Sequence, residues 1–241
     1  MPDKNVQLTF VYSYYNQPEM SRHIERRINS YDEAIRSDIE VIVVDDGSKS
    51  APLALLSLDC ASRFFRIRDD IGFNNGGAKN VGITHAAGLW CVLMDLDHWF
   101  DIENISALYR LSRREDGSRW FQFSRLRDGI ARGVNPNLKM AMRDNLASNL
   151  YDEDFSGNYG YEDIYQSYML SRELGPPTIP EGIFVHETIE VPDANTISIT
   201  KRRLATNKRL LERKIAGEVP YSRHALRTPY DEIQSRNDSD C

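Results

Sequence analysis

The sequence has few cysteines, no long apolar run and no surplus of basic charge. Its three cysteines, Cys60, Cys91 and Cys241, lie far apart with no metal-ligand spacing, and Cys91 sits in an apolar run, so it reads as a small core residue in a reducing compartment. No apolar stretch approaches the ~20 residues of a membrane span. A net charge of −6 leaves no basic excess to neutralise phosphates, which argues against general nucleic-acid binding. Met1 to Asn5 is polar and the apolar stretch after it is short, so no signal peptide is expected and the expected location is cytoplasmic. Internal repeats and low-complexity tracts are also missing. What remains is ordinary for a globular chain: 41% hydrophobic and 27% charged residues over a length of 241, enough for one large α/β domain or a core with a smaller appended part.

The most informative stretch runs from Leu89 to Phe100, Leu-Trp-Cys-Val-Leu-Met-Asp-Leu-Asp-His-Trp-Phe. Its first half is apolar enough for a strand buried on both faces. Asp95 and Asp97 follow one residue apart, and an extended backbone points both carboxylates to the same side. Two such anions repel each other and call for a cation, most naturally manganese or magnesium with an oxygen-rich shell. Asp-x-Asp by itself also fits a solvated loop.

Upstream, Val6 to Tyr12 is rich in β-formers and ends in a polar turn. Met20, Ile24, Ile28, Tyr31 and Ile35 recur at helical spacing. Glu40 to Val44 is a second strand, closed by Asp45-Asp46-Gly47-Ser48. This strand, helix, strand order predicts a βαβ unit with ligands beyond the carboxyl ends of the strands. A short helix is expected over Ala51 to Leu58 and a strand over Phe64 to Arg68. The paired glycines Gly76 and Gly77, with Lys79, lead into a helix, where N–H groups and an ammonium suit a phosphate; taken in isolation these residues read more simply as a glycine turn and helix cap with a solvated lysine. Beyond Asp97, Ile102 to Leu111 suits a helix, and Trp120 to Leu126 a strand that could turn at Arg127-Asp128-Gly129. Leu138 to Met142 suits a further strand.

Tyr151 to Asp163 is a second acid-rich stretch running into a helix that ends before Gly175-Pro176-Pro177. Asp163 at its start fits a cap or a base. Ile183 to His186 is a short strand whose histidine fits either a structural hydrogen bond or a metal ligand. Lys201 to Val219 is a basic helix, either packing its leucines on the core or touching an anionic membrane surface. The remaining tail, residues 220–241, reads as loose.

Taken in order, Val-Val-Asp-Asp-Gly-Ser at Val43 to Ser48, Asn-Asn-Gly-Gly-Ala-Lys-Asn-Val-Gly at Asn74 to Gly82 and Leu-Met-Asp-Leu-Asp at Leu93 to Asp97 resemble the GT-A glycosyltransferases of the family 2 type. The stretch Tyr151 to Asp163 is similar to the segment ending in Gly-Glu-Asp of metal-dependent galactosyltransferases. The resemblance implies an α/β GT-A fold with a Rossmann-like, mostly parallel nucleotide-sugar-binding sheet over residues 1–100. A smaller mixed acceptor-binding half would cover residues 101–200, and the helix over residues 201–219 would complete a single domain of residues 1–220. It implies nucleotide-sugar contacts from Tyr14, Asp46, Gly76, Gly77, Lys79 and Asp95, and a Mn2+ or Mg2+ site at Asp97, Asp95 and His186. Tyr161 and Glu162 would contact the acceptor, with Asp163 as catalytic base.

There are departures from the family pattern. Ser13 and Tyr14 stand where proline and a small residue are common, Lys79 replaces an arginine, and Tyr161 replaces a glycine. The Gln-x-x-Arg-Trp motif and membrane helices of processive synthases are missing. The implied activity is transfer of one sugar, with inversion, from a nucleotide-sugar donor, UDP-linked and galactose-like, to a glycan or other hydroxyl acceptor. The rival readings are a non-catalytic nucleotide-sugar or glycan-binding module and a sugar-phosphate nucleotidyltransferase. The latter usually carries a glycine-rich basic loop after its first strand, where this chain has Ser-Tyr-Tyr-Asn-Gln.

Overall fold

Every residue of β2 (Ile39–Asp45) is buried, as are five of the six residues of β4 (Trp90–Asp95). Strands of this kind need layers on both faces. The computed structural model, which describes residues 6–187, 204–222 and 229–236, supplies them. β1 (Leu8–Tyr14) lies between β2 and β4 and is parallel to both, and β3 (Ala61–Ile67) is parallel to β2 on its outer side. Side chains alternate across this sheet. Phe10, Val41, Val43, Val92 and Met94 face one layer with Ile24, Ile28, Ile105 and Leu108, while Val11, Ile42, Val44, Cys91 and Leu93 face the other with Ala78, Val81, Leu146 and Leu170. The first layer comes from α1 (Pro18–Asn29) and α4 (Ile102–Ser112); the second comes from α3 (Asn75–His85), α5 (Arg143–Ser148) and α6 (Glu162–Leu174). Gly82 lets α3 lie directly on β1, since a Cβ there would meet Val11 Cγ1 at 2.2 Å.

A mixed part extends the sheet past β4. β7 (Ile130–Met142) is antiparallel to β4, β6 (Phe121–Arg127) is antiparallel to β7, and β8 (Phe184–Glu187) runs parallel to β6. β5 (His98–Trp99) closes this edge on β8. The turn between β6 and β7 has Asp128 at φ 52° and Gly129 at φ 71°, the two positive angles that a tight hairpin requires. At the opposite edge β9 (Tyr230–Arg236) pairs antiparallel with β3, so that among the described residues nine strands follow the order β5-β8-β6-β7-β4-β1-β2-β3-β9. Among the described residues no helix is long and apolar enough to cross a membrane.

Four local expectations are corrected. The helix begun at Met20 ends at Asn29, and Ile35 belongs to the separate four-residue α2 (Glu33–Arg36), so the apolar periodicity spans a break. Residues 51–58 are not helical: their N–H groups go to side chains, Ala51 to Asn16 Oδ1 at 2.9 Å, Leu53 to Asp45 Oδ2 at 2.9 Å and Ser57 to Glu25 Oε2 at 3.0 Å. The strand of the Asp-x-Asp stretch stops at Asp95, and Asp97 sits in a turn before β5. The C-terminal stretch, read as loose, contributes β9. Its charges conceal it in sequence because they pair along the edge, Arg68 with Asp231 at 2.5 Å and Arg63 with Glu232 at 2.9 Å.

The basic helix α7 (Leu204–Ile215) carries two buried polar anchors; Leu204 and Ile215 are exposed, and Leu210 and Leu211 are partly buried. Asn207 Nδ2 donates to the carbonyls of Phe155, Asn158 and Gly160. The buried Lys214 ammonium lies 2.7 Å from Asp152 Oδ2 and 2.8 Å from Asp154 Oδ2. Truncating one partner of a buried ion group strands the others, typically at about 3–5 kcal/mol. Lys214→Ala is therefore expected to lower the Tm by roughly 6 °C or more. An unchanged Tm by calorimetry would show that α7 is not anchored this way.

Candidate active site

The chain passes from β1 outward through β2 to β3 and then returns to β4 on the other side of β1. Crevices at such a reversal, at the carboxyl ends of the strands, are where open α/β sheets take ligands. Ser13 and Asp95 are paired across this point, and Tyr14 pairs with Asp45 on the β2 side of it. The end of β2 carries two acids with different tasks. Asp45 is structural, accepting from Ser48 N and Leu53 N at 2.9 Å each and from Arg66 Nε at 3.1 Å. Asp46 is buried, takes one bond from Asn74 N at 2.9 Å, and leaves Oδ1 without a partner among the described residues. Burial pushes its pKa up to about 8. Gly47, at φ 71°, packs its Cα against the Asp69–Asp70 backbone, where an added Cβ would sit 3.0 Å from Asp70.

Of the residues expected to hold a nucleotide sugar, Asp46, Lys79 and Asp95 meet around this crevice. Lys79 comes from α3, is fully buried, and places Nζ 2.8 Å from Asp95 Oδ1. Burial alone would raise the Asp95 pKa, but the Lys79 ammonium, helped by His98, outweighs it and holds the carboxyl below its ordinary value. Gly76 and Gly77 open the same helix, but close packing accounts for both: a Cβ on Gly76 would meet Tyr151 Cβ at 3.0 Å, and one on Gly77 would meet Asn74 Oδ1 at 2.3 Å. Tyr14 does not face the crevice. It is 1% exposed and donates its hydroxyl to the Ala51 carbonyl at 2.6 Å, so it fastens the 51–58 segment. The next residue, Tyr15, turns toward the site, with its hydroxyl 3.3 Å from Asp70 Oδ2.

Asp95, Asp97 and His98 each offer a ligand atom within 4.8 Å of the others. Two carboxylates and an imidazole fit a divalent cation, the oxygens suiting manganese or magnesium and the nitrogen favouring the softer manganese. His98 is buried, its Nδ1 lies 2.6 Å from Asp97 Oδ1, and its Nε2 has no partner among the described residues. His186, the histidine expected at this metal, is placed elsewhere. Its Nε2 lies 2.8 Å from Asp101 Oδ2, and its ring stacks on Trp99 at 4.4 Å between centroids. Trp99 is the strand neighbour of His98, and adjacent strand residues point to opposite faces, so His186 lies on the far side from His98. The histidine next to the second aspartate is open to view in Asp-Leu-Asp-His, but nothing in its spacing ranks it above His186.

The acid pair starts α6. Tyr161, at φ 73°, occupies the left-handed region that costs a non-glycine residue about 1 kcal/mol or more, and it aims the first turn of the helix. Glu162 is buried with Oε2 unpartnered among the described residues, and burial, reinforced by Asp163, pushes its pKa up to about 8. Asp163 accepts from Ile164 N at 2.8 Å. Its pKa is raised by burial, with the Lys139 ammonium pulling the other way. Lys139, on β7, is fully buried and donates to the Asp163 carbonyl at 3.2 Å, Gln166 Oε1 at 3.0 Å and Ser167 Oγ at 3.0 Å. Burial pushes its pKa down to about 7. The Tyr151 ring lies 5.4 Å from its Nζ, and the buried Tyr151 hydroxyl has no partner among the described residues. Lys139 has no place among the residues expected from sequence, although a lone charge inside Leu-Lys-Met-Ala-Met was the available signal.

Asp95 contributes to the upward shifts of both Glu162 and Asp163, so cation cluster and acid pair share one electrostatic site. The sheet thus gathers its acids at the carboxyl end of its parallel strands. Residues 9–151 match the model of glycosyl transferase family 2, and the chain belongs to that family. The succinoglycan biosynthesis protein ExoO of Rhizobium meliloti (strain 1021) is 34% identical over 116 residues, or 48% of this chain; the match spans 32% of that relative's length. Among solved structures, GalNAc-T7 with UDP, GalNAc and Mn2+ is similar at TM-score 0.61 and 14% identity, over 87% of this chain and 48% of that one. S. aureus TarS 1-349 is similar at TM-score 0.59 and 13% identity, over 76% and 60%. The mannosyltransferase PcManGT from Pyrobaculum calidifontis, in complex with GDP-Man and Mn2+, is similar at TM-score 0.57 and 14% identity, over 92% and 67%. These likenesses show the GT-A fold.

The raised Glu162 pKa carries a stability consequence. A carboxyl with a higher pKa folded than unfolded contributes stability below its unfolded value, lost as pH rises through the folded one. For Glu162 that window runs from 4.5 to about 8. The Tm is expected to fall across it, and Glu162→Gln to flatten the fall and be the more stable protein above pH 8. Parallel melting curves for the two proteins across the window would refute this.

Proposed function

We propose that this chain is an inverting, metal-dependent glycosyltransferase that moves one sugar from a nucleotide-sugar donor, UDP-linked and galactose-like, to a hydroxyl of a glycan or other acceptor. The observation that carries the reading is the presence at one end of the sheet of a cation-fitting cluster and a separate buried acid pair. The relatives support it: UDP-GlcNAc, UDP with GalNAc, and GDP-Man are named in the compared structures, two with Mn2+. The name of the ExoO relative supports polysaccharide assembly as the setting.

In this mechanism Asp46 and Tyr15 line the side of the crevice that takes the nucleotide base. Lys79 holds Asp95 ionised and oriented. Asp95, Asp97 and His98 would hold the divalent cation, which when bound supplies neutralisation of the charge growing on the diphosphate leaving group. Asp163, its basicity raised by burial, takes the proton of the acceptor hydroxyl. As that proton moves to the carboxylate, the acceptor oxygen bonds to the anomeric carbon and the bond to the diphosphate oxygen breaks on the opposite face. A single displacement of this kind inverts the centre. Glu162, beside the base and with an acceptor oxygen to spare, suits a hydrogen bond from another acceptor hydroxyl, with Tyr161 flanking it.

The first test is a thermal-shift series with UDP sugars and GDP-mannose, with and without manganese, since a ligand bound only to the folded state raises its Tm. A UDP sugar is expected to stabilise the protein only with the metal, and Asp97→Ala to cancel the effect. Asp163→Asn is expected to keep the nucleotide shift while transfer falls by at least about 100-fold. Nucleotide binding without transfer to any acceptor by the unaltered protein would instead indicate a binding module.

A further inference from the structure

We infer that Lys139 is a positioning residue that holds the first turn of α6, and with it the Glu162–Asp163 pair, in register with the donor site. The inference rests on the acid pair serving as proposed above. Lys139 stands in β7 between Leu138 and Met140, two core residues, with its own side chain fully buried on the other face of the sheet. All three ammonium protons are used, on the Asp163 carbonyl, Gln166 Oε1 and Ser167 Oγ. Ser167 Oγ donates in turn to the same Asp163 carbonyl at 2.8 Å, and Gln166 Nε2 donates to the Asn149 carbonyl at 3.0 Å. The clamp therefore ties the first turn of α6 to the end of α5 and to the central sheet, directly after the left-handed Tyr161.

Helix-dipole and desolvation energies oppose this placement. The positive end of a helix dipole disfavours a cation, and a buried ammonium loses its hydration; a methionine would fill the same space without either penalty. What the lysine supplies is orientation and charge. Its electrostatic surroundings are Asp163 and Glu162 on α6, Lys79 on α3, Asp95 at the end of β4, and the ring and hydroxyl of Tyr151. The two acids of α6 and Asp95 favour the ammonium, and Lys79 opposes it. Lys139 in return is the strongest influence favouring an ionised Asp163.

The experiment uses the full chain with Lys139→Met and Lys139→Gln, followed by melting temperature, steady-state kinetics against pH, and NMR titration of the Ile164 amide that donates to Asp163. Lys139→Met leaves Gln166 Oε1 without its donor and the acid pair without its cation, and is expected to melt lower than the unaltered protein; below its transition it is expected to keep the donor KM within about twofold, while kcat falls by about 10- to 100-fold. The acid limb of the rate profile and the Ile164 midpoint are expected to move to higher pH, because the cation that lowers the Asp163 pKa is gone. Lys139→Gln keeps a donor without charge and is expected to recover part of kcat with the same displacement in pH. If Lys139→Met does not fold, the Gln variant carries the same two readouts. Wild-type kcat and an unmoved Ile164 midpoint in a folded variant would overturn the inference. Absence of transfer by the unaltered protein would strike the proposed function instead, and the amide titration would still decide whether Lys139 governs Asp163.

Discussion

The site depends on keeping six carboxylates, Asp45, Asp46, Asp95, Asp97, Glu162 and Asp163, at one end of a single sheet. Like charges so placed repel, and burial makes the repulsion worse. The structure meets this constraint in three ways. Asp45 is neutralised and saturated by Arg66 and two backbone N–H groups. Two fully buried lysines are set among the others, Lys79 on Asp95 and Lys139 beneath the acid pair. Apart from Asp97, whose Oδ1 lies 2.6 Å from His98 Nδ1, Asp46 and Glu162 are carboxyls whose pKa values rise toward neutrality, each with one oxygen unused by the described residues. Buried acceptors without donors are costly, and under the proposed function these two face the donor and the acceptor.

The rest of the fold serves to hold those groups from several directions. Close glycine packing brings α3 against β1 at Gly82 and against Tyr151 at Gly76. Asn80, on the same helix, ties down the Tyr151 backbone through two hydrogen bonds and reaches Glu153 as well. The loop from Asp152 to Gly160 is then covered by α7 through Asn207 and Lys214. Lys79, beside Asp95, and the approach to the acid pair are therefore fixed by neighbouring parts of one packed unit. A displacement of α7 would reach Tyr161 through Gly160 within one residue.

Much of this is legible in the amino-acid sequence. The parallel strands, the α1 and α3 helices, the β6–β7 hairpin and the acid-rich start of α6 follow from apolar periodicity and turn residues, which act over a few positions and survive in one dimension. The motifs at Val43 to Ser48, Asn74 to Gly82 and Leu93 to Asp97 point to the family, and the end of the sheet gathers all three. The elements that periodicity does not reveal share a cause. The leucines of segment 51–58 fit a helical pattern, yet side chains as distant as Glu25 take its N–H groups. β9 is hidden because an edge strand need not alternate apolar residues when its charges are paired with a neighbour's.

Outside the α1–α2 break, segment 51–58 and β9, the local sequence determined which stretches become strands and helices, and that acids, glycines and a lysine recur at their ends, because propensity and hydrophobic period depend on near neighbours. Tertiary structure alone decided which of those residues meet. It turned Tyr14 inward and Tyr15 outward, gave His98 rather than His186 to the aspartates, and set Lys139 under a helix that begins 23 residues later at Glu162. Those outcomes depend on strand order and on which face of the sheet a side chain takes. Both are set by packing between segments far apart in the chain.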